Sequence, residues 1–241
     1  MSLQLKHSFH QQCASCHLPT QGGRFICDYC ALRLNFNQHH CQQCGEPLTS
    51  QLQLIDHPIC GQCLKHPPFF NQSFCPIIYN NDAKAIIDPI KKGHIGAIKY
   101  SATLFQPYFY QFNQYDIFLA IPMSEKKLKV RHDNPSEQLC KELLKRVNRT
   151  YGSHIQQLPL QQIKDYPAQK GLNLKQRKSN VRGAFIALDQ HHHLLKNKSV
   201  VIVDDVMTSG STLNEAARVM VGLGAKQISV AAIARTPKTY Y

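Results

Sequence analysis

The chain has 241 residues, enough for one domain or two modest ones, and 43% of it is hydrophobic. Its apolar runs are too short to cross a bilayer, and its first dozen residues lack the apolar core of a signal peptide. Together these point to a cytoplasmic protein without membrane insertion. A formal charge of +13 asks for an anionic partner, either nucleic acid or a polyphosphate ligand.

That charge is unevenly spread. Residues 1–75 carry four Lys or Arg against three Asp or Glu, whereas residues 126–182 carry fourteen against four. Solvated helix faces absorb part of this excess, and the remainder suits a ligand.

Eight of the ten cysteines form four C-x2-C knuckles in the first third of the chain: Cys13 and Cys16, Cys27 and Cys30, Cys41 and Cys44, Cys60 and Cys63. In a reducing compartment such pairs are metal ligands rather than disulfides. One knuckle sets two thiolates on one side of a turn and two knuckles make a tetrahedral zinc site, so four suit two structural Zn2+ ions. Gly45 and Gly61 supply the tight turns. Large apolar side chains are few here, so metal binding must contribute much of the folding energy. The ten-residue gap between the first two knuckles fits a short hairpin. It favours consecutive pairing (Cys13, Cys16, Cys27, Cys30, then Cys41, Cys44, Cys60, Cys63), with a cross-brace as the alternative. His17, His39, His40, His57 and His66 read as solvent-facing, because the cysteines suffice. Cys75 and Cys140 read as buried, inert thiols.

His66-Pro67-Pro68 marks a linker, dividing a zinc-binding domain (1–68) from a larger domain (69–241). A strand is expected over 74–79, a helix over 83–92 interrupted by Pro89, and further helix over 97–110. The apolar run 117–121 reads as a buried strand. It leads into Pro122-Met123-Ser124-Glu125-Lys126-Lys127, a basic turn suited to a pyrophosphate. Asn134-Pro135-Ser136-Glu137 reads as a helix start, with Asn134 as N-cap, Pro135 in the first helical position and Glu137 closing a capping box. Leu139, Leu143, Leu144 and Val147 form that helix's apolar stripe. Residues 169–185 are basic and poorly periodic, the pattern of a mobile loop, and His191, His192 and His193 read as a solvated turn.

The most informative stretch is 198–212, KSVVIVDDVMTSGST. Residues 199–203 have no polar alternation and read as a strand buried on both faces, stopped by Asp204 and Asp205. Thr208, Ser209, Gly210, Ser211 and Thr212 form a hydroxyl-rich turn. A helix follows, with Leu213, Ala216, Ala217, Met220 and Val221 on one face and Gly222 and Gly224 ending it. Residues 228–234 make a closing strand, parallel to the first because the crossover is a helix. A strand, turn and helix N-terminus favour a phosphate, and the acids suit ribose hydroxyls or a divalent cation.

Two apolar-flanked acids followed by T-S-G-S-T resemble the phosphoribosyl pyrophosphate (PRPP) motif of type I phosphoribosyltransferases. Preceded by cysteine knuckles, the chain resembles the ComF/GntX (ComFC-like) family along nearly its whole length. Residues 122–139 look like that family's Pro-basic-Leu-x-x-Arg stretch. Gln169, Gly171, Arg177, Asn180, Arg182, Gly183, Ala184 and Phe185 fall on its Q-x-G-L…R…N-x-R-G-A-F pattern. One departure is Arg131-His132-Asp133-Asn134-Pro135, where members usually read R-G-[FY]-N-Q.

The resemblance implies an α/β fold, a type I phosphoribosyltransferase-like parallel sheet flanked by helices, with a small N-terminal double zinc ribbon. It implies a role in bacterial competence and natural transformation, the cytoplasmic handling of incoming single-stranded DNA during DNA uptake. PRPP with Mg2+, single-stranded DNA and proteins of the competence machinery are the implied partners. On this reading Asp204 and Asp205 hold the ribose hydroxyls, and Thr208, Ser209, Gly210, Ser211 and Thr212 take the 5′-phosphate. Ser124, Lys126 and Lys127 meet the pyrophosphate. Lys175, Arg177, Lys178, Asn180 and Arg182 form a nucleic-acid contact or a lid. The alternatives are a true phosphoribosyltransferase acting on an unidentified acceptor, and a zinc-dependent interaction module with a vestigial nucleotide fold. No side chain stands out as an obligatory catalytic base.

Overall fold

The computed structural model describes residues 12–48, 58–131, 133–162, 181–187 and 192–238. Within the cysteine-rich part lie two short helices, α1 (Asp28–Leu32) and α2 (Gly61–Lys65), each entered directly from a knuckle cysteine. The expected strand over 74–79 is split into β1 (Gln72–Phe74) and β2 (Ile77–Ile78) at Pro76, whose missing N–H interrupts a ladder. Asn80 caps α3 (Asn81–Lys91), its Oδ1 accepting from the Ala83 N–H at 2.9 Å. The helix is not interrupted at Pro89. A proline in the last turn forgoes one backbone bond yet holds a helical φ, and Ile86, Ile87 and Ile90 bury the face that carries it.

The helical stretch expected over 97–110 is two pieces, α4 (Ile95–Leu104) and α5 (Phe109–Phe112), separated by a 3-10 turn at Gln106–Tyr108. β3 (Ile117–Ala120) is buried throughout. Lys126 and Lys127 belong to α6 (Glu125–Arg131) rather than to a turn. Asn134 caps α7 (Pro135–Tyr151), accepting from the Ser136 N–H at 3.1 Å. Glu137 closes no box; its carboxylate pairs instead with Lys141 at 2.6 Å, one turn along an exposed helix face. Two short strands, β4 (Gln156–Leu158) and β5 (Leu160–Gln162), follow. β6 (Phe185–Ala187) pairs antiparallel with β5. His192 and His193 begin a short helix, α8 (His192–Leu195), rather than a turn.

The two acids do not stop their strand. β7 (Ser199–Met207) runs through both of them, because β8 (Gln227–Arg235) keeps pairing beyond Val203, with Asp204 opposite Ala232 and Met207 opposite Arg235. Between them α9 (Ser211–Gly222) buries Leu213, Ala216, Ala217 and Met220, while Val221 is left exposed. Glu215 takes the buried place instead.

The main sheet runs β1-β8-β7-β3-β4, all parallel, with β2 also against β8. Its side chains feed two cores. Val201 and Val203 point into one, with α3, α4, α5 and α7; Val200 and Ile202 point into the other, with α9. Each cysteine group joins a different core: Cys13 and Cys30 the first, and Cys41, Cys44, Cys60 and Cys63 the second. The chain between them crosses the edge of the sheet. The Ile78 N–H donates to the Asn35 carbonyl at 2.7 Å, Asn37 to Pro76 at 2.9 Å and Ser73 to Gln42 at 3.0 Å, so the edge groups of β1 and β2 are covered. No helix among the described residues is long and apolar enough to cross a membrane.

Candidate functional site

The carboxyl ends of β3 and β7 and the N-terminus of α7 converge at Asp204. Its Oδ1 accepts from the Ser136 hydroxyl and from the Asp205 N–H, both at 2.9 Å, and Asp205 Oδ1 accepts from the Val206 N–H at 2.7 Å. Ser136 is held in place by the Asn134 cap, whose Nδ2 donates to the Ile121 carbonyl at 2.9 Å. Burial first, and the Asp205 charge second, push the Asp204 carboxyl up to about 8, with the Ser136 bond pulling the other way. Tyr79 stands near the pair; burial, then the charges of Asp88 and Asp205, push its ionisation up.

Beyond Met207 the strand opens into the turn 208–212. Gly210 takes a left-handed φ of 75° to start α9, and a Cβ there would lie 2.8 Å from Met207 Cε. The Ser209 and Ser211 hydroxyls are 2.9 Å apart, and the Ser211 N–H points at Ser209 Oγ at 3.3 Å. Thr208 is exposed and Thr212 half-buried. The first turn of α9 contains no acidic residue, which leaves its positive dipole end to an external anion. Acids on the strand and hydroxyls on the turn form adjacent regions of opposite preference.

Of the basic residues expected nearby, Lys126 and Lys127 are placed by their backbone at the start of α6, after the buried Ser124. Lys175, Arg177, Lys178, Asn180, Gln169 and Gly171 lie outside the described residues. Arg182 is exposed, in a segment tied to α9, where the Gly183 N–H donates to Glu215 Oε1 at 2.7 Å. Glu215 also receives Arg218 through two bonds of 3.0 and 2.7 Å. Burial pushes this carboxyl up, but the Arg218 bonds and the Gly183 N–H outweigh it and hold it below the usual range. Beside the turn lies a cavity of about 430 Å³ walled by Pro67, Phe69, Phe70 and Met207, with Arg182 and Arg218 among its polar lining.

The knuckles gather in consecutive pairs: Cys13, Cys16, Cys27 and Cys30, then Cys41, Cys44, Cys60 and Cys63, the sulfur atoms of each group lying within 4.8 Å of one another. The donor set fits zinc. Cys16 Sγ to Cys27 Sγ is 3.8 Å and Cys44 Sγ to Cys60 Sγ is 3.7 Å. A tetrahedron with Zn–S bonds of about 2.3 Å has edges of about 3.8 Å. Backbone N–H groups aim at the sulfurs, from Ser15 and Cys27 to Cys13 at 3.4 Å and from Cys60 to Cys41 at 3.2 Å, as thiolates require. His40 is engaged elsewhere, its Nδ1 against the Asn37 carbonyl at 2.6 Å. Cys75 and Cys140 are fully buried, and burial raises both thiols, that of Cys75 to about 12.

Comparison with known proteins agrees with this arrangement. Residues 138–241 match the family described as Phosphoribosyl transferase domain. Competence protein F of Haemophilus influenzae is 25% identical over 238 residues, covering 94% of this chain and 98% of that protein. Over nearly its whole length the chain is similar to this competence protein. DNA utilization protein YhgH of Escherichia coli K12 is likewise 25% identical over 232 residues, covering 93% of this chain and 96% of its own. A shorter match, 49% over 39 residues, is to ribose-phosphate pyrophosphokinase 2 of Archaeoglobus fulgidus, covering 16% of this chain and 14% of that one.

Several residues of the site carry no motif. Ser136 read only as part of a helix start, and Tyr79 only as the end of a strand. Glu46 and Arg235 make a 2.7 Å ion pair in which both side chains are almost fully buried. The signal for that pair was faint: Arg235 is the one charge closing an apolar run, and Glu46 directly follows the glycine of a knuckle.

Proposed function

We propose that this ComF-like protein binds PRPP and acts in the cytoplasm on incoming single-stranded DNA during natural transformation. The observation that carries the reading is the juxtaposition at the end of β7: two carboxylates, then a Ser209–Ser211 turn heading α9. Asp204 and Asp205 hold the ribose hydroxyls. Thr208, Ser209, Gly210, Ser211 and Thr212 receive the 5′-phosphate through backbone N–H groups and hydroxyls. Ser124, Lys126 and Lys127 lie on the side of the pyrophosphate, whose charge is further screened by Mg2+ bound with the ligand. Two structural zinc ions occupy the four-cysteine groups. The name of the H. influenzae relative supports the competence role, and the basic excess over 126–182 supports an anionic polymer as partner. Lys175, Arg177, Lys178, Asn180 and Arg182 are the residues assigned to that polymer or to a lid over the ligand.

Titration calorimetry with PRPP, with and without Mg2+, tests the first part. Saturable binding that disappears in Asp204→Ala/Asp205→Ala supports it, and unchanged affinity in that variant refutes the site. Binding of a single-stranded oligonucleotide should weaken steeply as salt rises; salt-independent binding would sink the electrostatic account.

Phosphoribosyl transfer to an acceptor is the second reading, favoured by the family match and by the cavity of about 430 Å³ beside the turn. The chain would then position PRPP and exclude water, and the segment around Arg182 would close over it. Pyrophosphate release with a panel of acceptors separates the two readings, since binding alone releases none.

A further inference from the structure

Arg235 closes β8 opposite Met207, and it is 1% exposed. Its Nε donates to the Cys44 carbonyl at 2.9 Å and its Nη2 to Glu46 Oε2 at 2.7 Å. Nη1 faces the carbonyls of Met207 at 3.2 Å, of Thr208 and of Thr236. One guanidinium therefore grips the backbone of the second cysteine group on one side and the first residues of the 208–212 turn on the other. The second oxygen of Glu46 is fixed as well, accepting from the Lys238 N–H at 2.6 Å. Gly45 lets the knuckle come close: its φ is +67°, and a Cβ there would meet Ser73 Oγ at 3.0 Å and Cys75 Sγ at 3.3 Å.

We propose that Arg235 is the positioning residue of the phosphate turn, and that through Cys44 and Glu46 it makes the order of that turn depend on the second cysteine group. Releasing the knuckle withdraws Glu46 and leaves a buried guanidinium without its counter-charge, which is strongly unfavourable. Arg235 then moves toward water and abandons the Met207 and Thr208 carbonyls that it holds. The coupling is reciprocal, so a ligand that orders the turn also tightens the metal in the second group. The first group packs in the opposite core and serves as an internal control. For its ligand, but not for the order of the turn, the inference rests on the PRPP reading.

The test uses the full zinc-loaded chain. Amide hydrogen exchange is followed at residues 208–214 and Thr236, with α3 as reference, in wild type, Glu46→Gln, Arg235→Lys, Cys60→Ser/Cys63→Ser and Cys27→Ser/Cys30→Ser. Glu46→Gln and Arg235→Lys leave every cysteine in place, so they remain informative if a cysteine variant fails to fold. Exchange at the turn is expected to rise about tenfold in both while α3 is unchanged, a modest value for site-to-site coupling. Among the cysteine variants, loss of the second group should loosen the turn and loss of the first should not. Exchange equal to wild type in Glu46→Gln and Arg235→Lys, or acceleration shared equally by the turn and α3, overturns the proposal. PRPP calorimetry is read separately. Absence of binding to wild type removes the PRPP reading and leaves the exchange result to judge the coupling.

Discussion

Replacing Asp204 with Asn should make the protein more stable at alkaline pH and leave it nearly unchanged in acid. Both hydrogen bonds to this side chain land on Oδ1, so an amide oxygen can keep the Ser136 and Asp205 donors while the charge is removed. In the folded protein the Asp204 carboxyl is raised from 3.8 to about 8 by burial and by Asp205. A raised folded-state value means that the native chain binds the extra proton between these two pH values. The contribution to stability is therefore full below pH 4, falls as pH rises through the window, and is lost above pH 8. Every tenfold gain in proton affinity corresponds to about 1.4 kcal/mol, giving a ceiling of ~6 kcal/mol. Partial solvent contact and sharing of the proton with Asp205 reduce the expected gain to ~2 kcal/mol at pH 8.5. For a chain of this size that is an increase in Tm of about 4–8 °C. Urea unfolding of wild type and Asp204→Asn at pH 5 and pH 8.5 measures it. Thiolate protonation affects both proteins alike, so it cancels in the difference. A gain of the same size at both pH values, or a loss at pH 8.5, would refute the assignment of strain to this charge.

Ser136→Ala removes a bond that favours the ionised Asp204, so it should destabilise more at pH 8.5 than at pH 5, by about 1 kcal/mol, in the same unfolding assay. Gly210→Ala forces a side chain into a φ of 75° and 2.8 Å from Met207 Cε; a loss of roughly 1–2 kcal/mol is expected, with weakened PRPP binding by calorimetry. Native mass spectrometry should find two zinc ions per chain, and a strong chelator should expose the apolar faces around Cys13 and Cys41, read as increased dye fluorescence.

The parts legible in the sequence were those set by short-range chemistry. Knuckle spacing announced the metal groups, and the unbroken apolar runs announced β3 and β7. Asn134 and Pro135 announced the start of α7. What escaped depended on partners distant in the chain. The acids stay in β7 because β8 continues beside them, and no local rule encodes that neighbour. Glu215 occupies a buried place on α9 because Arg218 and the Gly183 N–H satisfy it, although its charge alone argued for solvent. Glu137 matched a capping box in type and spacing, yet Lys141 competes for it. Arg235 and Glu46 are 189 positions apart, beyond the reach of any pattern.

That separation bears on how the molecule assembles as it is synthesised. Among the described residues β1 and β2 pair within the main sheet with β8, and β8 is synthesised after the other described strands. The cysteine groups can collect metal early, from segments a few tens of residues long. Glu46, however, must stay in water until Arg235 is made, and the edge covered by residues 35–42 cannot form before β8 seats β1 and β2. Completion of the N-terminal third therefore waits on the C-terminal strand, and a nascent chain stalled before Gln227 would hold its metal sites beside an unfinished sheet.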